Sequence, residues 1–232
     1  MTFPFSLAGF SQLDVLAVVL LLGLSALIGW VIEHPPKSRM SVTVLMTEYR
    51  RDWMRQFVTR QPRIFDANII DGLRRGTAFF ASACMITLGG GIAIIGNTER
   101  LNSVAADLTL PPQGAELEIK LIVVLLFIAC ALLKFIWSHR LFGYCAIMMA
   151  AIPNEPDDPS AYPRAARCAE INITAARSFN RALRAIYFAL GALGWLFGPE
   201  FLIATTLMTV SVLIRREFAS ASRLSIMQHT PV

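Results

Sequence analysis

Four long apolar runs, Leu13–Ile32, Gly76–Gly96, Ile119–Trp137 and Ala185–Ile214, decide what this chain can fold into. A helix needs about 20 apolar residues to cross a hydrocarbon core of ~30 Å, and the first three runs match that length. Hydrophobic residues make up 55% of the chain and charged residues only 16%, with a mean hydropathy of +0.56. A soluble domain of this size has no core large enough to hide so much apolar surface. The expected fold class is therefore all-α: a polytopic membrane helix bundle formed as a single membrane domain over residues 1–232. The first run has no Lys or Arg before it and is too long for the apolar part of a signal peptide, so it reads as a span.

The last run fixes the topology. Ala185–Ile214 would make a helix of roughly 45 Å, too long for one ordinary span, and Gly198-Pro199-Glu200 interrupts it with a turn signal. It is either two spans or one kinked, tilted helix. With five spans and the N-terminus outside, all of the 21 Lys and Arg except Arg100 and Lys120 fall on the inside. Lys and Arg near span ends favour the cytoplasmic side, so five spans are preferred. Four spans, which would strand Arg215, Arg216 and Arg223 outside, are the alternative. The spans are expected near 13–32, 76–96, 118–137, 182–197 and 200–215, and cytoplasmic helical segments near 38–75 and 138–181. The chain would lie in a membrane with its N-terminus outside and its C-terminus in the cytoplasm.

Below the membrane the pattern stays helical. Span three runs on through LFGYCAIMMAAI to Pro153, and a second helical pattern runs from Pro163 to Gly198. The proline-rich stretch PNEPDDPSAYP between them reads as the tip of a helical hairpin. Ser41–Thr59 is amphipathic, with Leu45, Tyr49, Trp53 and Phe57 spaced by four. It either lies on anionic headgroups or packs on the projecting helices.

Two features are candidates for function. Lys134 lies about one turn from the inner end of span three, beside Trp137. Its ammonium either snorkels to the headgroups or pairs with a carboxylate such as Glu33. The second is a stripe on one helix face: Arg177, Asn180, Arg184, Tyr187, Gly191, Gly194 and Gly198. Its lower half is polar, and its upper half is a glycine seam that admits a close neighbour. A matching stripe, Gly76, Ala83, Thr87 and Gly90, runs along span two. Either the two stripes pack together, with the arginines paired to Asp66 or Asp71, or Arg177 and Arg184 line a basic vestibule for an anion or lipid headgroup.

No nucleotide-binding, zinc-protease or serine-hydrolase motif occurs, and His34, His139 and His229 are far apart. The four cysteines, Cys84, Cys130, Cys145 and Cys168, show no metal spacing, and structural disulfides are not expected at these positions. We therefore expect no catalytic residues, no metal, no cofactor and no enzymatic activity. The basic residues follow topology, so nucleic acid is not an expected partner. The expected partners are the lipid bilayer, anionic headgroups at the cytoplasmic face, and either further copies of the chain or another membrane complex.

The strings IFDANIIDGLRRGTAFFASACMITLGG, LKFIWSHRLFGY, SFNRALRAIYFALGALGWLFGPE and LIRREF resemble the family catalogued as domain of unknown function 599. The similarity runs from about Asp14 to Phe218, with the usual tyrosine pair of the fourth-helix motif replaced by Ile186-Tyr187. The resemblance implies an integral membrane protein of bacteria and plants, hence of the bacterial inner membrane here, and supplies no catalytic residues. Two functional expectations follow from the chain as a whole. One is a homo-oligomeric channel or transporter-like protein for ions or small solutes. The alternative is a non-catalytic accessory or scaffold subunit docking onto another membrane complex.

Overall fold

The computed structural model describes residues 9–97, Ser103 and 114–227. Glu99, Arg100 and Asp107 of the expected outer loop, and His229, lie outside these residues. Among the described residues the structure is all-α, with no strand. Its helices are α1 (Gln12–Glu33), α2 (Val42–Thr59), α3 (Ile64–Ile95), α4 (Gly114–Ala150), α5 (Ala161–Ala192), α6 (Pro199–Phe218) and a short α7 (Ala221–Met227). Three of them, α1, α3 and α4, are long and apolar enough to cross a membrane. Their outward faces carry exposed apolar side chains, such as Val19, Phe79, Ile86 and Leu126. This is the surface that a lipid solvent requires and water does not tolerate.

Helix α3 is continuous for 32 residues, Ile64–Ile95, so the expected span 76–96 begins well inside it and ends at its C-cap, Gly96. At 37 residues, α4 is roughly 55 Å long and overshoots a ~30 Å hydrocarbon core. The excess forms a hairpin with α5, whose tip is the proline-rich turn after Ala150. Ser138 Oγ donates to the Ala175 carbonyl at 2.8 Å across this hairpin. Arg63 ties the tip to the base: its Nη1 donates to Ile152 O at 2.8 Å and its Nη2 to Pro153 O at 2.7 Å.

The C-terminal apolar run is broken. Helix α5 ends at Ala192, a 3-10 turn spans Leu193–Phe197, and Gly198 has φ +128°. Only glycine takes that conformation without strain, and Pro199 then starts α6 at a position where its missing N–H costs nothing. The chain folds back on itself here, and a single kinked helix is ruled out. Gly191 and Gly194 meet Thr205 of α6, and Tyr187 meets Arg216.

The interior has two storeys. The upper core joins α1, α3, α4, α5 and α6 through Leu21, Ala131, Phe135, Phe188 and Leu202. The lower core joins α2 with the start of α3, the end of α4 and the start of α5 through Met54, Phe57, Ile70, Phe142, Cys145 and Cys168. Helix α2 thus packs on the projecting hairpin. Its buried face is set by Met54, Phe57 and Val58, and Tyr49 is left exposed. Phe80, Phe135 and Phe179, with ring centroids 5.3–5.8 Å apart, join α3, α4 and α5 between the storeys.

A candidate anion site where α1, α2, α5 and α6 meet

Glu33 closes the last turn of α1, where the helix dipole disfavours a carboxylate. It is nevertheless only 8% exposed. Two arginines one turn apart on α5 hold it there: Arg181 Nε donates to Oε1 at 2.8 Å and Arg181 Nη2 donates to Oε2, while Arg184 Nη2 also donates to Oε1. The two-pronged Arg181 contact is the geometry in which guanidinium and carboxylate match best. Lys134 does not take part. Its ammonium reaches only the Cys130 carbonyl on its own helix, at 3.5 Å.

The expected polar stripe lines two adjoining cavities, of about 300 and about 350 Å³. Arg177 and Asn180 face the first, and Asn180, Arg184 and Tyr187 face the second. Helices α2 and α6 supply the opposite walls with Val42, Arg216 and Glu217. Within those walls Glu217 accepts from Thr43 N at 2.9 Å and Thr43 Oγ1 at 3.0 Å, at the start of α2. A carboxylate at a helix N-terminus is favoured by the dipole and by unpaired N–H groups. Arg216 donates to the Tyr187 hydroxyl and lies over its ring, 5.4 Å from the centroid.

Arg50 enters the first cavity from α2. Its Nη1 donates to Asn172 Oδ1, and Asn172 Nδ2 reaches Cys145 Sγ at 3.5 Å. Cys145 Sγ in turn lies 3.4 Å from Cys168 Sγ, with both thiols free. Burial pushes the Arg50 guanidinium below its ordinary pKa. Arg50, Arg177 and Arg216 thus share one cavity, and none has a carboxylate partner among the described residues. Three guanidinium groups and two carboxylates, Glu33 and Glu217, line a space large enough for a small ion and its first waters. Among the described residues no group of three His, Cys, Asp or Glu side chains gathers to hold a metal.

The expected pairing of the arginine stripe with Asp66 or Asp71 does not form. Asp66 is fully buried and accepts from Trp53 Nε1 at 2.6 Å and Arg60 Nη1 at 2.5 Å, while Asp71 pairs with Arg75 at 3.1 Å. The glycine seam does not meet span two either. Gly191 and Gly194 pack on α6, and Gly198 makes the turn. Gly76 and Gly90 face outward, where an added Cβ would meet nothing within 4 Å. On α3 it is Gly91, untouched by the sequence argument, that admits a neighbour: Leu125 of α4 occupies the space of a side chain there.

The profile described as "Protein of unknown function, DUF599" matches residues 16–222. The chain belongs to that family. No curated protein and no solved structure matches it. In this DUF599 chain the matched region spans α1 to α6, so Glu33, the arginine stripe and both cavities all lie within it.

Proposed function

We propose that this DUF599 protein is a homo-oligomeric, transporter-like or channel protein that passes small anions, with the arginine cavity as its inner binding site. One observation carries the reading: Arg50, Arg177 and Arg216 face one cavity and none of them forms an ion pair among the described residues, while of the two carboxylates in its lining Glu33 is held by Arg181 and Arg184 and Glu217 by Thr43. Arg50 is partly desolvated and has no ion-pair partner among the described residues, which is costly, and a bound anion offsets that cost, with the exposed Arg177 and Arg216 adding to the attraction. Guanidinium groups add directed donors suited to oxyanions.

The reading includes five spans, with the N-terminus outside and the C-terminus cytoplasmic in a bacterial inner membrane. In that arrangement the fold-back at Gly198 returns Arg215 and Arg216 to the end that carries α2, in keeping with the positive-inside preference. The outward face of α3, with Gly76 and Gly90 uncovered, is the surface offered to a second copy. Binding and release suffice for this role, and no covalent chemistry is assigned.

The test is anion efflux from proteoliposomes, using chloride, nitrate and phosphate. Arg177 is exposed and makes no ion pair among the described residues, so Arg177→Ala should reduce flux without unfolding the protein. Wild-type flux indistinguishable from empty liposomes for all three anions would sink the reading.

A further inference from the structure

A second opening lies on the other side of Glu33. A groove of about 390 Å³ runs between α1 and α4, with α5 as its floor. Its lining changes in the same way on all three helices. On α1 it passes from Ser25 and Ala26 to Glu33 and His34; on α4, from Phe127 to Lys134; on α5, from Phe188 to Arg181. Each helix contributes about 10 Å of depth between its apolar and charged ends. The charged ends all lie at the level of α2.

We propose that this groove seats an anionic phospholipid, its headgroup on Lys134 and Arg181 and the start of its acyl chains along Ala26, Phe127 and Phe188. The layering matches a lipid, apolar at depth and charged at the interface, and does not match a free solute. The charge selects an anionic headgroup. Lys134, Arg181 and Arg184 face a single carboxylate, Glu33, which the two arginines already saturate. Glu33 is therefore not open to the cationic end of a zwitterionic headgroup. Lys134 makes no ion pair among the described residues and reaches a carbonyl on its own helix, and Arg181 is 47% exposed on the groove side of its pair. Trp30, 61% exposed and stacked on His34 at 5.6 Å, stands on the rim where interfacial aromatics collect.

This assignment does not depend on transport and is tested without flux. The full chain in mild detergent is titrated with phosphatidylglycerol or phosphatidylcholine of identical chains, and bound lipid is counted by native mass spectrometry. We expect phosphatidylglycerol to be retained in preference, and Lys134→Gln to weaken that retention roughly fivefold, the loss of one interfacial cation. Lys134→Arg should preserve it. Ala26→Phe fills the apolar end without touching a charge and should also expel the lipid; Ala26 is exposed, so the fold tolerates it. Equal retention of the two lipids, or retention unchanged in both Lys134→Gln and Ala26→Phe, overturns the proposal. Displacement by millimolar inorganic phosphate alone overturns it as well, since the site would then read a free anion.

Discussion

Trp195 Nε1 donates to Asp14 Oδ1 at 2.7 Å, joining the first turn of α1 to the 3-10 turn that ends α5. Asp14 is only 9% exposed. It completes a capping box in which Ser11 N and Ser11 Oγ donate to Asp14 Oδ2 at 3.0 and 2.7 Å, and Asp14 N donates to Ser11 Oγ at 3.1 Å. Trp195→Phe keeps most of the packing and removes one donor from a buried carboxylate. That loss should cost about 1–3 kcal/mol, read as a lower melting temperature by circular dichroism in detergent. An unchanged melting temperature would show that this link does not hold α1 to the turn after α5.

Glu33 separates two arginines that look alike on paper. The Arg184 side chain is 10% exposed and, among the described residues, pairs only with Glu33, whereas the Arg181 side chain is 47% exposed. Breaking a buried pair leaves an uncompensated charge at about 3–5 kcal/mol, while an exposed pair is worth ~0–1 kcal/mol. Glu33→Gln should therefore destabilise strongly, and Arg181→Ala only slightly. Their unfolding midpoints, compared in one detergent, check this order; equal losses would contradict it.

The glycines should also divide sharply. A Cβ at Gly194 would lie 2.5 Å from Thr205 Oγ1 and 3.0 Å from the Phe201 carbonyl, and that backbone atom cannot move aside cheaply. At Gly191 the nearest atom is Thr209 Oγ1 at 2.9 Å, a side chain that can rotate. Gly90 has open space. Gly194→Ala should destabilise by about 1–3 kcal/mol through overpacking, and Gly191→Ala by less. Within a single copy of the chain, Gly90→Ala should stabilise by ~0.5–1 kcal/mol, the ordinary gain from replacing a helix-interior glycine. Thermal unfolding of the three variants gives the order directly.

The apolar runs, the hairpin tip and the break at Gly198-Pro199 were legible because each depends on local properties: length, hydropathy and backbone chemistry. Partner choice was not. Glycine spacing says that a helix will approach closely but not which one, and the seam went to α6 because the Gly198 turn makes α6 its neighbour. Glu33 over Asp66 as the arginines' partner is likewise settled by which helix ends meet. The Cys145–Cys168 contact could have been found. Both residues are equidistant from the tip of one hairpin, as are Ser138 and Ala175, so antiparallel packing of α4 on α5 sets them opposite each other. The role of Asp14 could also have been found, because Ser11 three residues before it already signals a capping box.

Ser41 has two jobs at one atom. Its Oγ accepts from Val44 N at 3.2 Å, capping α2, and donates to the Ile32 carbonyl at 2.7 Å in the last turn of α1. It is fully buried, so it sets the angle between the first long helix and the base that carries Arg50. Ser41→Ala loses both contacts, at about 0.5–2 kcal/mol for the cap and ~1–3 kcal/mol for the stranded carbonyl. Ser41→Asp separates them. Aspartate caps a helix as well as serine does, but when ionised it has no proton to give Ile32 and sets a negative oxygen against that carbonyl. Ser41→Asp should therefore unfold at least as easily as Ser41→Ala, judged by melting temperature at neutral pH. If it melts like the wild type instead, the cap alone sets the α1–α2 corner and the bond to Ile32 contributes nothing.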